Sequence, residues 1–442
     1  MKNYLLIFCC FSANLMAQNA PKLSFNKTYK DQKLSKGKDL VFPINMDKDN
    51  LYDISVFQDG IDVLVEVSDK DNKKLAKKDS PNGSWGFERF EFKPTQTASY
   101  FITIKRLEQK GNPDSGQVNI KIKQFNKADL AVREKTKKEL EPENKKTVQT
   151  ADIDHFWAAW DNLKACKTYE DSVQSFEKLY IERATDGFLD FINVRQWSAE
   201  EYVEMARNSP KFYNSVRKNT FEVKKAEPLI EEVFQKFKAI YPNFKPFKVC
   251  FAIGALRTGG TVSENFVLIG TEITTSTKAV DLSEIKNEAF RTILEGEEDI
   301  VQKIKNMIAH ECVHTQQKSE LDSNAVRCNL LYQCMHEGFC DFIGELVTGS
   351  QINKVNQDYG NAHEKELWYA FKEELCGNKT GGWLYNFSEV KDKPADLGYY
   401  MGYRIAKSYY DAAKDKKQAV VDIIEMKNPL QFLEKSGYDK KF

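Results

Sequence analysis

The sequence predicts a multidomain α+β protein, in which an N-terminal antiparallel β-sandwich precedes a mainly α-helical domain with a small β-sheet. Apolar residues alternate with period two up to about residue 125, and from residue 151 they recur at helical spacing. A charged, apolar-poor segment separates these halves, and 442 residues is long for one domain. We therefore divide the chain into residues 1–17, 20–125, 126–150 and 151–442.

Residues 1–17 have the composition of a secretory signal peptide. One lysine precedes an apolar run from Tyr4 to Phe11, and small residues lead to a cleavage site near Ala17. The apolar run is far shorter than the roughly 20 residues that span a bilayer, and no later stretch could span one. We therefore expect an exported protein, periplasmic or secreted, with no membrane span.

The cysteine and charge counts argue against a cysteine-based zinc site and against a nucleic-acid partner. Seven cysteines follow the signal peptide, an odd number, and no Cys-x-x-Cys pair occurs, so we expect no cysteine-based zinc site. A disulfide between Cys376 and either Cys328 or Cys334 is the less favoured alternative to free thiols. Basic and acidic residues balance at 65 each without a basic tract, which disfavours a nucleic-acid partner.

Residues 20–125 consist of short alternating runs such as DLVFPINM, LYDISVFQ and SYFITIKRL, separated by turn residues. This pattern is typical of an antiparallel sandwich. Through GIDVLVEVSDKDNKKLAKKDSPNGSWGFERFEFKP and SYFITI the segment resembles the pre-peptidase domains of secreted bacterial proteases. Its acidic cluster, Asp59, Asp62, Asp69 and Asp71, is typical of turns, so we expect no calcium site. A role in secretion and folding is favoured over carbohydrate or protein binding.

The charged segment 126–150 is interpreted as a linker that is partly helical at most. After it, DIDHFWAAWDNL, YEDSVQSFEKLYIE and EPLIEEVFQKFKAIYP place apolar residues on one helix face. One β segment interrupts the helices, FKVCFAIGALRTGGTVSENFVLIGTEI, with two apolar strands around a Gly-rich connection.

The stretch MIAHECVHTQQ contains the pattern His-Glu-x-x-His within a proline-free helical segment. Residues four apart share a helix face, so His310 and His314 could hold one metal ion. Glu311 lies about 100° around the helix from His310, where it could act as a general base without ligating the ion. This pattern predicts a zinc site.

A third ligand is expected, because a catalytic zinc usually has three protein ligands and an open position. In NLLYQCMHEGFCDFIGELVTG, Glu337 and Asp341 lie four apart on one helix face. We predict that Glu337 ligates the metal and that Asp341 accepts a hydrogen bond from a ligating histidine. His336 and His363 are the alternative ligands, and Glu345 is interpreted as a solvent or packing carboxylate.

His-Glu-x-x-His followed after 22 residues by Glu-x-x-x-Asp is similar to the gluzincin peptidases, the thermolysin-like group. EGFCDFIGEL, GGTVSENFVLIGTE and LGYYMGYRIAKSYY also resemble bacterial predicted zinc-dependent proteases related to the gliding-motility lipoprotein B family, over most of residues 151–442. The resemblance implies a zincin-like domain, Zn2+ as cofactor, and a peptide or protein substrate.

Two further predictions follow from that resemblance. Gluzincins generally stabilise the oxyanion with a tyrosine or a histidine, and in GYYMGYRIAKSYY our candidate for this role is Tyr403. The alternative is that the tyrosines of this helix face only pack in the core. Zinc peptidases often pair an extended substrate with a strand near the metal, and peptides are commonly captured by β-addition. Residues 267–271 are our candidate, with an ordinary core hairpin as the alternative.

The function predicted from these features is an exported zinc metallopeptidase. The alternative is a non-catalytic cell-envelope or gliding-motility component that retains a structural zinc site. Glu311 favours the enzyme, because a structural site needs no base and is usually closed by a fourth protein ligand. Every candidate site residue follows Ala151, so we expect the sandwich to be dispensable for chemistry.

Overall fold

The structure, a computed structural model, describes residues 23–80, 83–296, 299–317, 328–387 and 389–442. The predicted signal peptide and its cleavage site lie outside these residues. The chain divides into two compact units, Met1–Lys138 and Glu139–Phe442. Among the described residues no helix is both long and apolar enough to cross a membrane.

The first unit contains two four-stranded antiparallel sheets, with strand orders β1-β8-β3-β6 and β2-β7-β4-β5. Alternate residues are buried in β2, β7 and β8, because successive side chains of a strand point to opposite faces. This part of the predicted fold class is confirmed. The strands are β1 (Thr28–Ser35), β2 (Leu40–Met46), β3 (Leu51–Asp59), β4 (Val63–Asp69), β5 (Lys74–Lys78), β6 (Trp85–Phe92), β7 (Ala98–Arg106) and β8 (Ser115–Phe125).

The segment after the sandwich is more helical than expected. Helix α1 extends over Lys127–Asn144, where we predicted a linker that is partly helical at most. The segment is rich in Lys, Glu, Ala and Leu, which have high intrinsic helix propensity. The side chain of Asn126 also accepts the backbone N–H of Ala128 at 2.8 Å and satisfies the first turn.

Helices dominate the second unit, which confirms the helical half of the predicted fold class. Most place an apolar stripe against one continuous core of buried residues. The helices that precede its sheet are α2 (Ala151–Asn162), α3 (Tyr169–Leu179), α4 (Asp186–Arg195), α5 (Ala199–Asn208), α6 (Pro210–Thr220) and α7 (Glu227–Ile240). Those that follow it are α8 (Thr271–Thr274), α9 (Glu288–Leu294), α10 (Ile300–Gln316), α11 (Asn329–Thr348), α12 (Lys354–Glu374), α13 (Leu397–Ala412), α14 (Lys416–Ile424) and α15 (Pro429–Ser436).

A small mixed sheet lies within these helices, with strand order β11-β12-β10-β9. Its strands are β9 (Val148–Gln149), β10 (Lys248–Ala252), β11 (Gly260–Val262) and β12 (Phe266–Gly270). β10 runs parallel to β9 and β12, whereas β11 is antiparallel to β12.

The prediction that residues 267–271 form the strand that pairs with the substrate was wrong. β12 is fully buried and pairs with β10 on one side and β11 on the other, so its backbone groups are already used. The half-buried strand β11 forms the edge of the sheet. Its Gly-rich sequence was interpreted as a connection, because a three-residue strand gives little periodic signal.

Helix α11 packs closely on both α10 and α13. A Cβ at Gly402 of α13 would overlap the carbonyl oxygen of Cys334 on α11, so only glycine permits this approach of the two backbones. A disulfide joins Cys328, just before α11, to Cys376, just after α12. The expectation of free thiols at these two positions was therefore wrong, whereas Cys334 is free.

Candidate metal centre

Helix α10 brings the His-Glu-x-x-His residues together on one side of the core. Asp299 caps the start of the helix, because its side chain accepts the backbone N–H of Gln302 at 2.7 Å. His310 and Glu311 are buried, and His314 is half-buried. The Nε2 atoms of the two histidines lie 3.2 Å apart, as expected for residues stacked one turn apart.

Glu337 of helix α11 completes a triangle of donor atoms. Its Oε2 lies 3.5 Å from His310 Nε2 and 3.3 Å from His314 Nε2. Tetrahedral zinc with bonds of about 2.0–2.1 Å holds its ligand atoms about 3.3–3.4 Å apart. The three donor atoms therefore have the separations that one zinc ion requires.

Both imidazoles are oriented by acceptors on their other nitrogen. His310 Nδ1 lies 2.8 Å from Asp341 Oδ1, and a carboxylate can only accept, so Nδ1 carries the proton. Asn353 Nδ2 donates to the other oxygen of Asp341 at 2.6 Å. His314 Nδ1 lies 2.8 Å from Gln317 Oε1 in the same way. These contacts leave both Nε2 lone pairs facing Glu337, an arrangement that a cation stabilises.

The charges around His310 support a cation in this triangle. Burial lowers the pKa of His310, but the hydrogen bonds to Asp341 and Glu337 outweigh it and raise the pKa well above its usual value. A positive charge is therefore favoured between the carboxylates, and a metal ion can supply it in place of a proton.

Among the described residues, two other groups of side chains have ligand atoms within 4.8 Å of one another: His310, His314 and Cys340, and His314, His336 and Glu337. Cys340 Sγ lies 3.4 Å from His314 Nδ1, the nitrogen opposite the triangle, and donates to the carbonyl of His336 at 3.1 Å. The ring of His336 stacks on that of His314 with centroids 4.7 Å apart. Burial and the neighbouring His314 lower the pKa of His336 to about 4. The Cys340 sulfur thus lies on the far side of His314 from the triangle, whereas Glu337 belongs both to the triangle and to the set with His336.

His363, the remaining alternative ligand, has different neighbours. Its ring stacks on Tyr359 with centroids 4.4 Å apart, and its Nδ1 lies 3.4 Å from Glu366. Its side chain is 42% exposed, in contrast to the buried triangle.

Glu311 lies against the edge strand of the small sheet. A Cβ at Gly260 of β11 would overlap its Oε1, so the carboxylate touches the strand backbone. Burial raises the pKa of Glu311, while the positive charges of His310, His314 and Arg195 oppose that rise. The carboxylate is therefore placed between the donor triangle and the sheet edge.

Tyr385 was missed by sequence reasoning. Its hydroxyl donates to Glu337 Oε1 at 2.8 Å, and its backbone has φ 57°, in the left-handed region that non-glycine residues rarely adopt. Its side chain is largely solvent-exposed. Tyr385 lies in an irregular segment between α12 and α13, where no periodicity or motif marks a functional residue.

Tyr403, our predicted oxyanion-stabilising residue, donates its hydroxyl to Glu345 at 2.7 Å and packs on Phe342. Glu345 is thereby a packing carboxylate. Tyr399, on the same helix face, lies closer to the metal centre, because its ring stacks on His310 with centroids 6.1 Å apart. The geometry favours Tyr385 or Tyr399 over Tyr403 for this role.

Arg195, at the end of helix α4, was also missed. Its Nη2 donates to Thr258 Oγ1 at 3.0 Å and to the Gly260 carbonyl at 3.3 Å. It is more than a hundred residues from the motif in sequence, and no local pattern distinguishes it from other helix-terminal arginines.

Residues 272–428 match the model of a protein family described as "Predicted Zn-dependent protease (DUF2268)". The matched range includes the donor triangle, Glu311 and Asp341. Over this range the chain is similar to predicted zinc-dependent proteases. No curated protein matches the chain.

Two solved structures are similar to parts of the chain. One is the pre-peptidase C-terminal domain of a collagenase from Bacillus anthracis, with 22% identity, coverage of 24% of this chain and 100% of that chain, and a TM-score of 0.19. The other is PliG from Aeromonas hydrophila, a periplasmic inhibitor of g-type lysozyme, with 5% identity, coverage of 22% and 84%, and a TM-score of 0.19.

Proposed function

We propose that this protein is a zinc-dependent peptidase whose metal is held by His310, His314 and Glu337. The observation that carries the proposal is the triangle of donor atoms, with edges of 3.2, 3.3 and 3.5 Å, beside the buried carboxylate of Glu311. The family similarity over residues 272–428 supports the same activity.

Different residues of the site have different roles in the proposed peptide hydrolysis. Zinc, when bound, would acidify the attacking water and polarise the scissile carbonyl. Glu311 accepts a proton from that water and passes it to the leaving amine. Asp341 and Gln317 hold the two imidazoles in the tautomer that presents Nε2 to the metal.

Tyr385 is our revised candidate for oxyanion stabilisation. Its hydroxyl lies at the donor triangle, where it donates to Glu337 Oε1, and its side chain is largely solvent-exposed. Although the residue is largely exposed, its hydroxyl is partly buried against Glu337. This burial and the negative charge of Glu337 raise the pKa of Tyr385, so the hydroxyl keeps its proton at neutral pH and can donate it in a hydrogen bond.

Strand β11 is the place where an extended substrate would lie. Only one of its sides is paired with another strand, and Gly260 brings this strand into contact with Glu311. The Gly260 carbonyl already accepts from Arg195 and Thr258, so the peptide would pair with the other backbone groups of this edge. A peptide added along the free edge would carry its scissile bond past the general base.

A non-catalytic role with a structural zinc is the alternative. Glu311 argues against it, because a structural site has no use for a buried carboxylate that is not a ligand, and burying one is costly.

We also propose gluzincin-type chemistry, a relation to the gliding-motility lipoprotein B family and export from the cytoplasm. The Cys328–Cys376 disulfide supports export, since disulfides persist in oxidising compartments.

The test compares the zinc-loaded native protein with Glu311→Gln on a peptide library. We expect Glu311→Gln to keep one zinc per chain and to lose cleavage by roughly 10²- to 10⁴-fold, the usual contribution of a general base. Glu345→Gln, which changes a glutamate that accepts only a packing hydrogen bond from Tyr403, is the matched control and should keep most activity. Equal activity of Glu311→Gln and the native protein would refute the proposed mechanism.

A further inference from the structure

We propose that Arg195 binds a carboxylate group of the peptide substrate. This inference rests on the proposed peptidase function and assigns a substrate preference to the same site. The carboxylate could be the C-terminus of the substrate or an aspartate or glutamate side chain, since both present the same chemical group.

The position of Arg195 places its charge beside the substrate strand. Its Nη2 donates to the carbonyl of Gly260, the residue whose other side touches Glu311. Thr258 fixes this geometry, because its hydroxyl contacts both the guanidinium at 3.0 Å and the Gly260 carbonyl at 2.6 Å. The guanidinium and the general base therefore flank a single residue of β11.

The hydrogen-bonding capacity of Arg195 is not used up within the protein. Its Nε is buried and has no hydrogen-bond partner in the described part of the chain. Within those same residues no carboxylate lies within 4.0 Å of its guanidinium, although the charge of Glu311 acts on it from farther away. A buried donor without an acceptor is costly unless a ligand supplies the acceptor.

Other arginines of the second unit show the usual arrangement. Arg217 contacts Asp161 at 2.7 Å, Arg257 contacts Glu201 at 2.6 Å, and Arg404 contacts Glu364 at 2.8 Å. Arg195 differs in that its neighbours are polar groups of the sheet edge and the catalytic region. Burial lowers the pKa of Arg195, while the carboxylate of Glu311 opposes that effect.

A carboxylate is the ligand that matches this site. The planar guanidinium binds carboxylates through paired, charge-assisted hydrogen bonds, and carboxylates are the anionic groups of an unmodified peptide at neutral pH. Such a group near Arg195 would also hold the scissile bond close to Glu311, since both side chains meet at Gly260.

The test measures peptide binding to zinc-loaded Glu311→Gln by calorimetry, so that hydrolysis does not interfere. The probes are N-acetylated alanine-based pentapeptides with a free C-terminus, with an amidated C-terminus, or with an amidated C-terminus and one aspartate at each position in turn. We expect at least one carboxylate-bearing series to bind about 10- to 100-fold more tightly than the neutral amide, as for charge-assisted hydrogen bonds. The series with the higher affinity identifies the source of the carboxylate.

Arg195→Gln should abolish this preference, so that carboxylate-bearing and neutral peptides bind this variant with similar affinities. Arg257→Gln, which changes a nearby arginine already paired with Glu201, is the matched control and should keep the preference. Arg195→Lys, which keeps the charge but loses the paired donors, should retain part of it. Zinc content and thermal unfolding confirm that each variant is folded.

Two results would overturn the proposal. The first is that the Glu311→Gln protein with Arg195 intact binds carboxylate-bearing and neutral peptides with equal affinity. The second is an equal loss of affinity for charged and neutral peptides in Arg195→Gln, which would assign Arg195 to the peptide backbone or to the fold. Failure of the peptidase proposal is distinguishable, because it would appear as full activity of Glu311→Gln, whereas the carboxylate preference is measured by binding alone.

Discussion

At the scale of single residues, the contact between Asp341 and His310 connects the proposed metal centre to the core. Asp341 is almost fully buried, accepts from His310 Nδ1 at 2.8 Å and is itself held by Asn353 at 2.6 Å. A carboxylate at this position raises the basicity of the imidazole and fixes the ring toward the metal.

Asp341→Asn should lower zinc affinity or activity by roughly 10- to 100-fold while the protein stays folded. The amide oxygen can still accept the hydrogen bond from His310, but the negative charge is lost. Zinc titration of the two proteins measures the effect.

Glu345→Gln is the matched variant on the same helix, where the glutamate accepts a hydrogen bond from Tyr403. We expect it to change zinc affinity little. Equal zinc affinities of Asp341→Asn and Glu345→Gln would show that the contact between Asp341 and His310 does not tune the metal.

The residues of the donor triangle could be found from the sequence because their spacing is a local property of two helices. His310 and His314 lie one turn apart, and Glu337 and Asp341 repeat that spacing on the next helix. Tyr385 and Arg195 could not be found in this way. Their place at the site depends on how distant segments pack, which no short sequence pattern records.

At the scale of elements, strand β11 determines how close the backbone comes to Glu311, the proposed general base. It is three residues long and half-buried, and Gly260 leaves no room for a side chain beside Glu311. Strand order follows from pairing between segments rather than from periodicity, so the sequence could not show that residues 267–271 are paired on both sides.

Gly260→Ala should lower peptide hydrolysis by about 10-fold or more, because misplacing a catalytic group by about 1 Å can cost up to 100-fold. Its Cβ would overlap Glu311 Oε1, and either the carboxylate or the strand must move. Zinc content should stay at one per chain, since Gly260 contacts none of the three ligands in the described contacts.

Gly259→Ala is the matched variant one residue earlier. Its Cβ would come within 2.9 Å of the flexible end of Met307, which can rotate away. We expect little loss of hydrolysis in this variant. Similar activities of the two alanine variants would mean that Glu311 does not need its contact with β11.

At the scale of the whole molecule, the division into two units shifts the boundary that the sequence suggested. The second unit begins at Glu139, within α1, rather than at residue 151. Gln149 is fully buried and accepts the backbone N–H of Gly187 at 3.0 Å, and Val148 pairs with Val249 of β10. Composition alone placed these residues in the charged linker, because β9 has only two residues.

A truncated chain of residues 139–442 should bind one zinc and keep most activity on short peptides, because every site residue lies within it. A chain that starts at Ala151 lacks β9 and leaves the N–H of Gly187 without its acceptor, so we expect its free energy of unfolding to be lower by roughly 2–5 kcal/mol. Urea unfolding of both chains measures this difference. Unfolding of the 139–442 chain under native conditions would show that the second unit depends on the first.

X-ray absorption at the zinc edge of the zinc-loaded protein tests the central claim most directly. Coordination by His310, His314 and Glu337 with one water predicts about four nitrogen or oxygen neighbours at roughly 2.0–2.1 Å, with the outer-shell signal of two imidazoles. Cys340 Sγ, 3.4 Å from His314 Nδ1, is the competing donor in the same region. A sulfur neighbour at about 2.3 Å, or the signal of a single imidazole, would contradict the account.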